Sequence, residues 1–400
     1  MYPTIEEDKM ALGKTQIIAI AAVAIVAVAG IAVAIVLMNN NKDTGITIVD
    51  DSGATITLSE PIKSAIVVNT NIPQSMKILG LENECADILF YSSSKYDDYY
   101  AMGFTNINKD APLAKNITNA EYILSKEVKY VIAPVSSMTL KEEAVNACKD
   151  AGITVIKLNC NGDEQMSGID RLAKLFGNTE QIQKKYTEFK ELRETVINGV
   201  LGKCSPSDAK TFLCYFGSGD SFYNQNAELS KIIESIYGKN ALKDVNNLDL
   251  SGISNKAVTS GGILEALTVI DDNHPIDKLF VRGGGSLKAS GTSSKTVTNV
   301  QDYWKDTSKY ALSYYKFGYV ATPTSEVYVI DSDLLSGCMS HIGYVVLAEL
   351  CGIDTGYDPA TLITEFNTKY SFSESTTNLA FRLAFDGSGN CTGATEISFT

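Results

Sequence analysis

The hydrophobic positions of this chain begin with one long uninterrupted run. Residues 17–38 are 22 uncharged and almost wholly apolar positions, and no other stretch of the sequence approaches that length. A helix of this length extends about 33 Å, which is enough to cross the hydrocarbon core of a bilayer. The run therefore predicts a single transmembrane anchor over 17–38, after an N-terminal segment over 1–16 and before a linker over 39–45.

The charges beside this run set its expected orientation. Lys9 and Lys14 precede it and Lys42 follows it, which by the positive-inside tendency places residues 1–16 in the cytoplasm. The run is longer than the apolar core of a typical cleaved signal peptide, although cleavage among its alanines and valines stays open as an alternative. We thus expect a single-pass cell-membrane protein with an extracytoplasmic body.

Beyond residue 45 the pattern changes to short apolar runs that alternate with helical patterns. A hairpin is predicted first, around the turn at Asp51 to Gly53. The alternation that follows is typical of a parallel sheet covered by helices, so we expect an N-terminal α/β lobe over 46–177. Its predicted strands after the hairpin are 65–68, 86–91, 130–134 and 154–158, and its predicted helices are 74–79, 120–125 and 140–151.

A long helix over 180–201 separates this lobe from a second alternation. Mainly apolar residues recur at every third or fourth position of this helix and form one stripe, which also includes Arg193. We interpret 178–202 as an interdomain helix that joins two α/β lobes, with an ordinary surface helix as the alternative. The C-terminal α/β lobe is predicted over 203–372, with strands at 211–216, 279–282 and 327–330 and helices at 227–237 and 342–351. Residues 373–400 are predicted to form a polar tail, in which 379–385 has the pattern of a strand or short helix.

Composition narrows the classes of function. The net charge is −13 and the pI about 4.8, which argues against nucleic acid as a partner because phosphate binding needs clustered cations. The eight cysteines have no C-x-x-C spacing, which argues against a zinc or iron–sulfur cage and leaves free thiols and disulfides open. No catalytic motif is present, and adjacent acids such as Asp50 and Asp51 are expected to be solvated turn residues. We therefore expect no enzyme.

Four segments of the body resemble one known family, the class III substrate-binding proteins of ABC importers, which deliver ferric siderophores, haem or cobalamin. The resemblance covers about residues 46–372 and lies in the order and spacing of the segments more than in any one of them. The four segments are ITIVDDSGATITLSEPIKSAIVVN, ITNAEYILSKEVKYVIA, GNTEQIQKKYTEFKELRETV and TFLCYFGSGDSFYNQNAELSKIIESIYGKNALKDV.

The resemblance implies a carrier that passes a metal chelate to an ABC permease and its ATPase. In that family a Glu on each lobe docks the permease. Glu121 falls at the first of these positions, whereas Gly261 replaces Glu at the second and Glu265 is the nearest carboxylate. Two histidines are too few for the bare metal sites of some class III relatives. We therefore expect no metal ligands and no covalent cofactor in the protein, with the metal held inside a siderophore, corrinoid or haem.

Candidate ligand residues follow the predicted strands. Tyrosines in the loop 90–104 suit a flat macrocycle or chelate, and the alternative is that they only pack the loop. Asn69 and Thr70 precede a helix N-terminus that favours an anion or carbonyl group, and Arg282 suits a carboxylate or phosphate. The resemblance places Phe222 and His341 at ligand positions, with a core residue and a polar helix position as their alternatives. The full set of ligand candidates is Asn69, Thr70, Tyr91, Tyr96, Tyr99, Ser136, Phe216, Phe222, Tyr223, Arg282 and His341.

The expected function is therefore an extracytoplasmic substrate-binding protein of an ABC importer, acting as a monomer. Two other classes stay open from the residues alone. One is a membrane-anchored module for surface sensing or adhesion on the same scaffold, which the missing second docking Glu favours. The other is a hydrolase or chelatase, for which no nucleophile–base pair can be identified.

Overall fold

The computed structural model describes most of the body of the protein. The predicted anchor over 17–38 and the N-terminal segment over 1–16 lie outside the described residues. Within the part that is described, no helix combines the length and the apolar character needed to cross a bilayer. The described residues are 45–91, 95–135, 139–215, 222–223, 227–244, 276–283, 300, 326–386 and 391–399.

The predicted hairpin opens the described chain. Strands β1 (Ile46–Val49) and β2 (Thr55–Leu58) pair in a two-stranded sheet. Its turn corrects one expectation, because Asp50 is only 4% exposed and is not a solvated acid. The Asp50 carboxylate accepts hydrogen bonds from the backbone N–H groups of Ser52, Ala54 and Lys157 at 2.9–3.0 Å. Asp51 likewise forms an ion pair with Arg171.

The N-terminal half is a four-stranded sheet that is fully parallel, as predicted, and its strand order is β4-β3-β5-β6. All four residues of the central strand β3 are buried, since helices cover both faces of a parallel sheet. The strands are β3 (Ala65–Val68), β4 (Cys85–Leu89), β5 (Tyr130–Ala133) and β6 (Thr154–Lys157), and the helices are α1 (Asn71–Leu79), α2 (Tyr96–Ala101), α3 (Glu121–Leu124), α4 (Glu142–Asp150) and α5 (Gln165–Leu175).

The predicted long helix is present with the predicted bounds, as α6 (Glu180–Leu201). Thr179 caps its N-terminus by accepting a hydrogen bond from the Ile182 N–H at 3.3 Å. The buried residues Ile182, Phe189, Val196 and Val200 form the apolar stripe. This stripe lets α6 pack against α1 and α5 of the N-terminal half and against a helix of the C-terminal half, Ser340–Leu350.

The C-terminal half is a seven-stranded mixed sheet with the order β13-β12-β11-β10-β7-β8, with β9 also paired to β7. Strands β7, β9, β10 and β11 pair in parallel, and the outer strands are antiparallel. The strands are β7 (Ser207–Tyr215), β8 (Phe222–Tyr223), β9 (Gly238–Asn240), β10 (Lys278–Gly283), β11 (Glu326–Asp331), β12 (Ala380–Phe385) and β13 (Cys391–Glu396), and the helices are α7 (Glu228–Ile236), α8 (Ser340–Leu350) and α9 (Pro359–Tyr370).

The end of the chain differs from the predicted polar tail. Strand β12 pairs with β11, and β13 pairs with β12, so this segment extends the sheet. Ala380, Phe381 and Leu383 are buried against the core, which explains why β12 forms in an otherwise polar segment. Residues 379–385, for which the sequence indicates a strand or a short helix, thus contain the strand Ala380–Phe385.

Candidate functional site

The carboxyl ends of the four parallel strands form one edge of the N-terminal sheet, where ligands of open α/β sheets bind. Asn69 follows β3 at this edge with a positive φ of 74°, and its N–H donates to the Leu89 carbonyl at 3.0 Å. The Asn69 side-chain oxygen accepts the Thr70 N–H at 2.9 Å. These two candidates therefore shape the entry into α1, whose first turn has no side-chain cap.

Tyr99 connects the same edge to helix α2. It is 3% exposed, and its hydroxyl donates to the Thr70 carbonyl at 3.0 Å. Its ring packs against Phe90 and Phe104 with centroid distances of 5.4 and 5.7 Å. Burial raises the pKa of Tyr99 well above its usual value, and the charges of Glu374 and Asp333 from the C-terminal half raise it further. Tyr99 thus packs this edge of the sheet against Phe90 and Phe104.

Two other tyrosines of α2 form an accessible aromatic surface. The rings of Tyr96 and Tyr100 stack at a centroid distance of 5.4 Å and an interplanar angle of 20°. Tyr100 is 50% exposed, and Tyr96 and Tyr91 are partly exposed. A large exposed aromatic pair has an apolar face to offer to a ligand, together with two hydroxyl groups. The Tyr100 ring is therefore exposed, whereas the Tyr99 ring is buried.

In the C-terminal half, the structure brings Tyr223 and Arg282 together. Tyr223 of β8 is 7% exposed, and Arg282 lies next to the carboxyl end of β10. Burial raises the pKa of Tyr223 to about 12. The charge and the hydrogen bond of Arg282 lower this pKa, but their effect is smaller than that of burial. The charge of Glu228 on α7 adds to the rise. A cation, a phenol and a carboxylate thus form one polar group beside this sheet.

Four candidates fall where side chains are not described. Ser136, Phe216 and Glu265 lie outside the described residues, and Phe222 is described only in its backbone. Their predicted roles remain predictions. Glu121, the other docking candidate, is exposed at the start of α3.

His341 lies apart from the other candidates, inside the contact between α6 and α8. Its side chain is 1% exposed, and its ring lies 6.3 Å from that of Phe189 and 5.9 Å from that of Phe366. Burial, reinforced by the charge of Arg193, lowers the pKa of His341 to about 3. The imidazole is therefore neutral and belongs to the packing of α8, consistent with the alternative of a helix position.

We predict that replacing His341 with Leu makes the free energy of unfolding less dependent on pH between about 3 and 6.5. Between the ordinary pKa near 6.5 and about 3, the unfolded chain binds a proton that the folded protein excludes. The free energy of unfolding of the parent protein should therefore fall with decreasing pH in this window, by up to about 1.4 kcal/mol per unit. Urea titrations at several pH values measure this as the difference between parent and variant. A constant difference from pH 7 to pH 4 would contradict the assignment.

All eight cysteines lie among the described residues, where none forms a disulfide, and six of them are buried. Two come close to the same hydroxyl group. Cys338 Sγ lies 3.9 Å from Ser75 Oγ, and the buried Cys160 thiol also hydrogen-bonds Ser75. Cys160 belongs to the N-terminal half and Cys338 to the C-terminal half, so the two halves meet at Ser75 of α1.

Two equivalent turns make this contact reciprocal. Gly162–Glu164 precedes α5, and Gly337–Met339 precedes α8; we call these segments the reciprocal turns. Each opens with a glycine at positive φ, 67° and 73°, a conformation that favours glycine. A Cβ at Gly337 would lie 3.0 Å from Gln74 Oε1 on α1, and a Cβ at Gly162 would lie 3.1 Å from Glu228 Oε2 on α7. Each turn therefore touches the first helix of the opposite half.

A glycine spacing, which hydrophobic periodicity does not reveal, marks these turns in the sequence. In both, a second glycine follows after six residues, at Gly168 of α5 and Gly343 of α8. A Cβ at either position would come within 2.0 Å of a carbonyl oxygen, of Asn159 or of Leu334, so only glycine fits. The repeated G-x5-G spacing thus marks the two reciprocal turns in the sequence.

Comparison with solved structures defines the class of fold. No protein-family model and no curated protein matches this chain. The chain has the mixed α/β fold of the TroA-like periplasmic binding proteins, so the resemblance in the sequence is confirmed at the level of the fold. The α/β fold class is likewise confirmed.

Three of the similar structures come from Veillonella parvula. The TroA-like periplasmic binding protein FepB aligns with a TM-score of 0.57 and 17% identity, over 82% of this chain and 97% of its own. A periplasmic binding protein aligns with a TM-score of 0.51 and 13% identity, over 78% and 99%. A periplasmic solute binding protein aligns with a TM-score of 0.51 and 14% identity, over 82% and 94%.

Proposed function

We propose that this protein is an extracytoplasmic substrate-binding protein of an ABC importer. It captures a metal chelate in a cleft between two α/β lobes and delivers it to the permease, acting as a monomer. The apolar run over 17–38 tethers it to the cell membrane.

The observation that carries this proposal is the reciprocal contact of the two halves. Since Gly337 meets α1 and Gly162 meets α7, the helices that follow the first strand of each sheet lie at one junction. Ligands of α/β sheets bind outside the carboxyl ends of the strands, and small molecules are enclosed where two such edges approach each other. Helix α6 packs on both halves and limits how far they separate.

The chemistry of the accessible residues favours a chelate over a bare ion. Tyr96 and Tyr100 present stacked rings that suit the apolar face of a macrocycle or a catecholate. Arg282, beside Tyr223, suits a carboxylate group on the ligand. Among the described residues, no group of three His, Cys, Asp or Glu side chains is arranged to hold a metal ion.

Titration with a panel of chelates tests the proposal. The body, residues 46–400, is titrated with ferric siderophores, haem and corrinoids while its tyrosine and tryptophan fluorescence is recorded. We expect one class to bind with a dissociation constant below about 1 μM, which corresponds to about −8 kcal/mol. Dissociation constants above about 100 μM for all three classes would contradict the proposal and favour the sensing or adhesion module.

We predict that the double substitution Tyr96→Ala and Tyr100→Ala weakens chelate binding about tenfold or more. Each ring contributes on the order of 1 kcal/mol to a stacked contact, and tenfold corresponds to about 1.4 kcal/mol. Tyr130→Ala, at the amino end of β5 on the opposite edge of the sheet, is the control and should leave affinity unchanged. If the double variant and the control bound the chelate with equal affinity, Tyr96 and Tyr100 would not be part of the binding site.

Docking to the permease is proposed to use Glu121. This carboxylate is exposed on α3, whose neighbouring residue Tyr122 donates a hydrogen bond to Asp87 Oδ2 at 2.5 Å. The buried Asp87 also pairs with Lys126 at 2.7 Å, so the segment that presents Glu121 is held at both ends. Glu265 is the proposed counterpart from the second lobe.

A further inference from the structure

The linking helix α6 contains one cation in its otherwise apolar stripe. Arg193 lies one turn beyond Phe189, which is fully buried against His341. Its Nε donates to Gln165 Oε1 at 3.2 Å. Within the described part of the chain, Arg193 makes no ion pair with a carboxylate. Arg193 is only partly buried, and a guanidinium without a carboxylate partner is a favourable position for an anion.

The N-termini of α5 and α8 both lie near Arg193, which bonds Gln165 and whose charge acts on His341. Gln165 is the first residue of α5 and His341 the second residue of α8, and each helix has 11 residues. Neither N-cap residue, Glu164 or Met339, supplies a side-chain cap. The Glu164 carboxylate instead accepts a hydrogen bond from Asn159 Nδ2 at 2.6 Å. The two helix dipoles add to the positive potential around Arg193.

A buried donor without an acceptor is the independent sign of a missing ligand. Gln165 is 0% exposed, its Oε1 is used by Arg193, and its Nε2 has no hydrogen-bond partner. The Nδ1 atom of His341 is also buried without a partner. Buried amide groups are almost always hydrogen-bonded, so Nε2 requires an acceptor that the described protein does not provide. An acceptor next to a cation and two helix N-termini is favoured when it carries negative charge.

We infer that a small anion of halide size binds between the N-termini of α5 and α8, held by the Arg193 guanidinium and Gln165 Nε2. The anion neutralises the cation in the apolar stripe and ties α5 of the N-terminal half and α8 of the C-terminal half to α6. This site lies in the helix junction and is separate from the chelate residues proposed above.

Thermal unfolding at constant ionic strength tests this inference. Sodium chloride or bromide is exchanged for sodium gluconate, whose anion is too large for the site. Because a ligand that binds only the folded state raises Tm, we expect Tm to be higher in halide by about 3 °C and to increase with halide concentration. Arg171→Met removes an arginine that pairs with Asp51 elsewhere, so it should retain the full halide shift.

Two variants and one direct measurement complete the test. Arg193→Met should abolish the halide shift, and Gln165→Glu should abolish it while keeping the protein folded, because it places a carboxylate beside Arg193. Crystals soaked in bromide should show an anomalous peak within about 3.5 Å of Arg193. Equal Tm values in halide and gluconate, or a water only at this position, would overturn the inference.

Discussion

Replacing Phe189 with Ala is expected to destabilise the protein by about 3–5 kcal/mol, the usual cost of removing a fully buried phenylalanine. Phe189 is 0% exposed at the middle of α6. Its ring meets His341 of α8 edge to face at 6.3 Å and Tyr370 of α9 at 6.0 Å. The substitution therefore opens a cavity where the linking helix packs on the C-terminal half. Urea unfolding followed by circular dichroism measures the loss.

The control for this prediction is Glu191→Ala, which removes an exposed side chain from the same helix. It should change the free energy of unfolding by less than about 0.5 kcal/mol. A loss below about 1 kcal/mol for Phe189→Ala would mean that α6 is a surface helix and not the element that joins the two halves.

Asp87→Ala is expected to cost about 3–5 kcal/mol, as is typical when one member of a buried charged network is removed. Asp87 is 0% exposed in β4. Its carboxylate accepts the Ile88 and Asn108 N–H groups at 2.9 and 3.0 Å and the Tyr122 hydroxyl at 2.5 Å. Burial alone would lower the pKa of Lys126, but the hydrogen bond and charge of Asp87 raise it. The substitution leaves these donors without their acceptor.

Asp110→Ala removes an exposed carboxylate from the same connection and should be close to neutral. Urea unfolding compares the two variants at pH 7. If Asp87→Ala were as stable as Asp110→Ala, the carboxylate would not hold α3 to the sheet, and the proposed presentation of Glu121 would lose its support.

The elements with the strongest periodicity were predictable from the sequence. Helix α6 has the predicted bounds, because a polar cap at Thr179 and an apolar stripe free of proline define it locally. Strand β3 is a run of four apolar residues, and its position at the centre of a covered parallel sheet follows from that pattern.

Other features depend on contacts that sequence periodicity does not contain. Helix α9 was missed although Asp358 and Pro359 form a readable start, in which Asp358 accepts the Ala360 and Thr361 N–H groups at 3.2 and 3.0 Å. The burial of Asp50 depends on Lys157, which is remote in sequence. Tyr99 is buried whereas Tyr100 is exposed, a difference that arises from the direction of α2 and not from residue type.

The most direct test of the account is a crystal structure of the protein with the chelate that binds most tightly in the titration. We predict that the chelate lies at the carboxyl ends of the parallel strands, with its ring or ligand face against Tyr96 or Tyr100 and its acidic groups near Arg282. A chelate bound on an outer surface, away from both sheet edges, would contradict it.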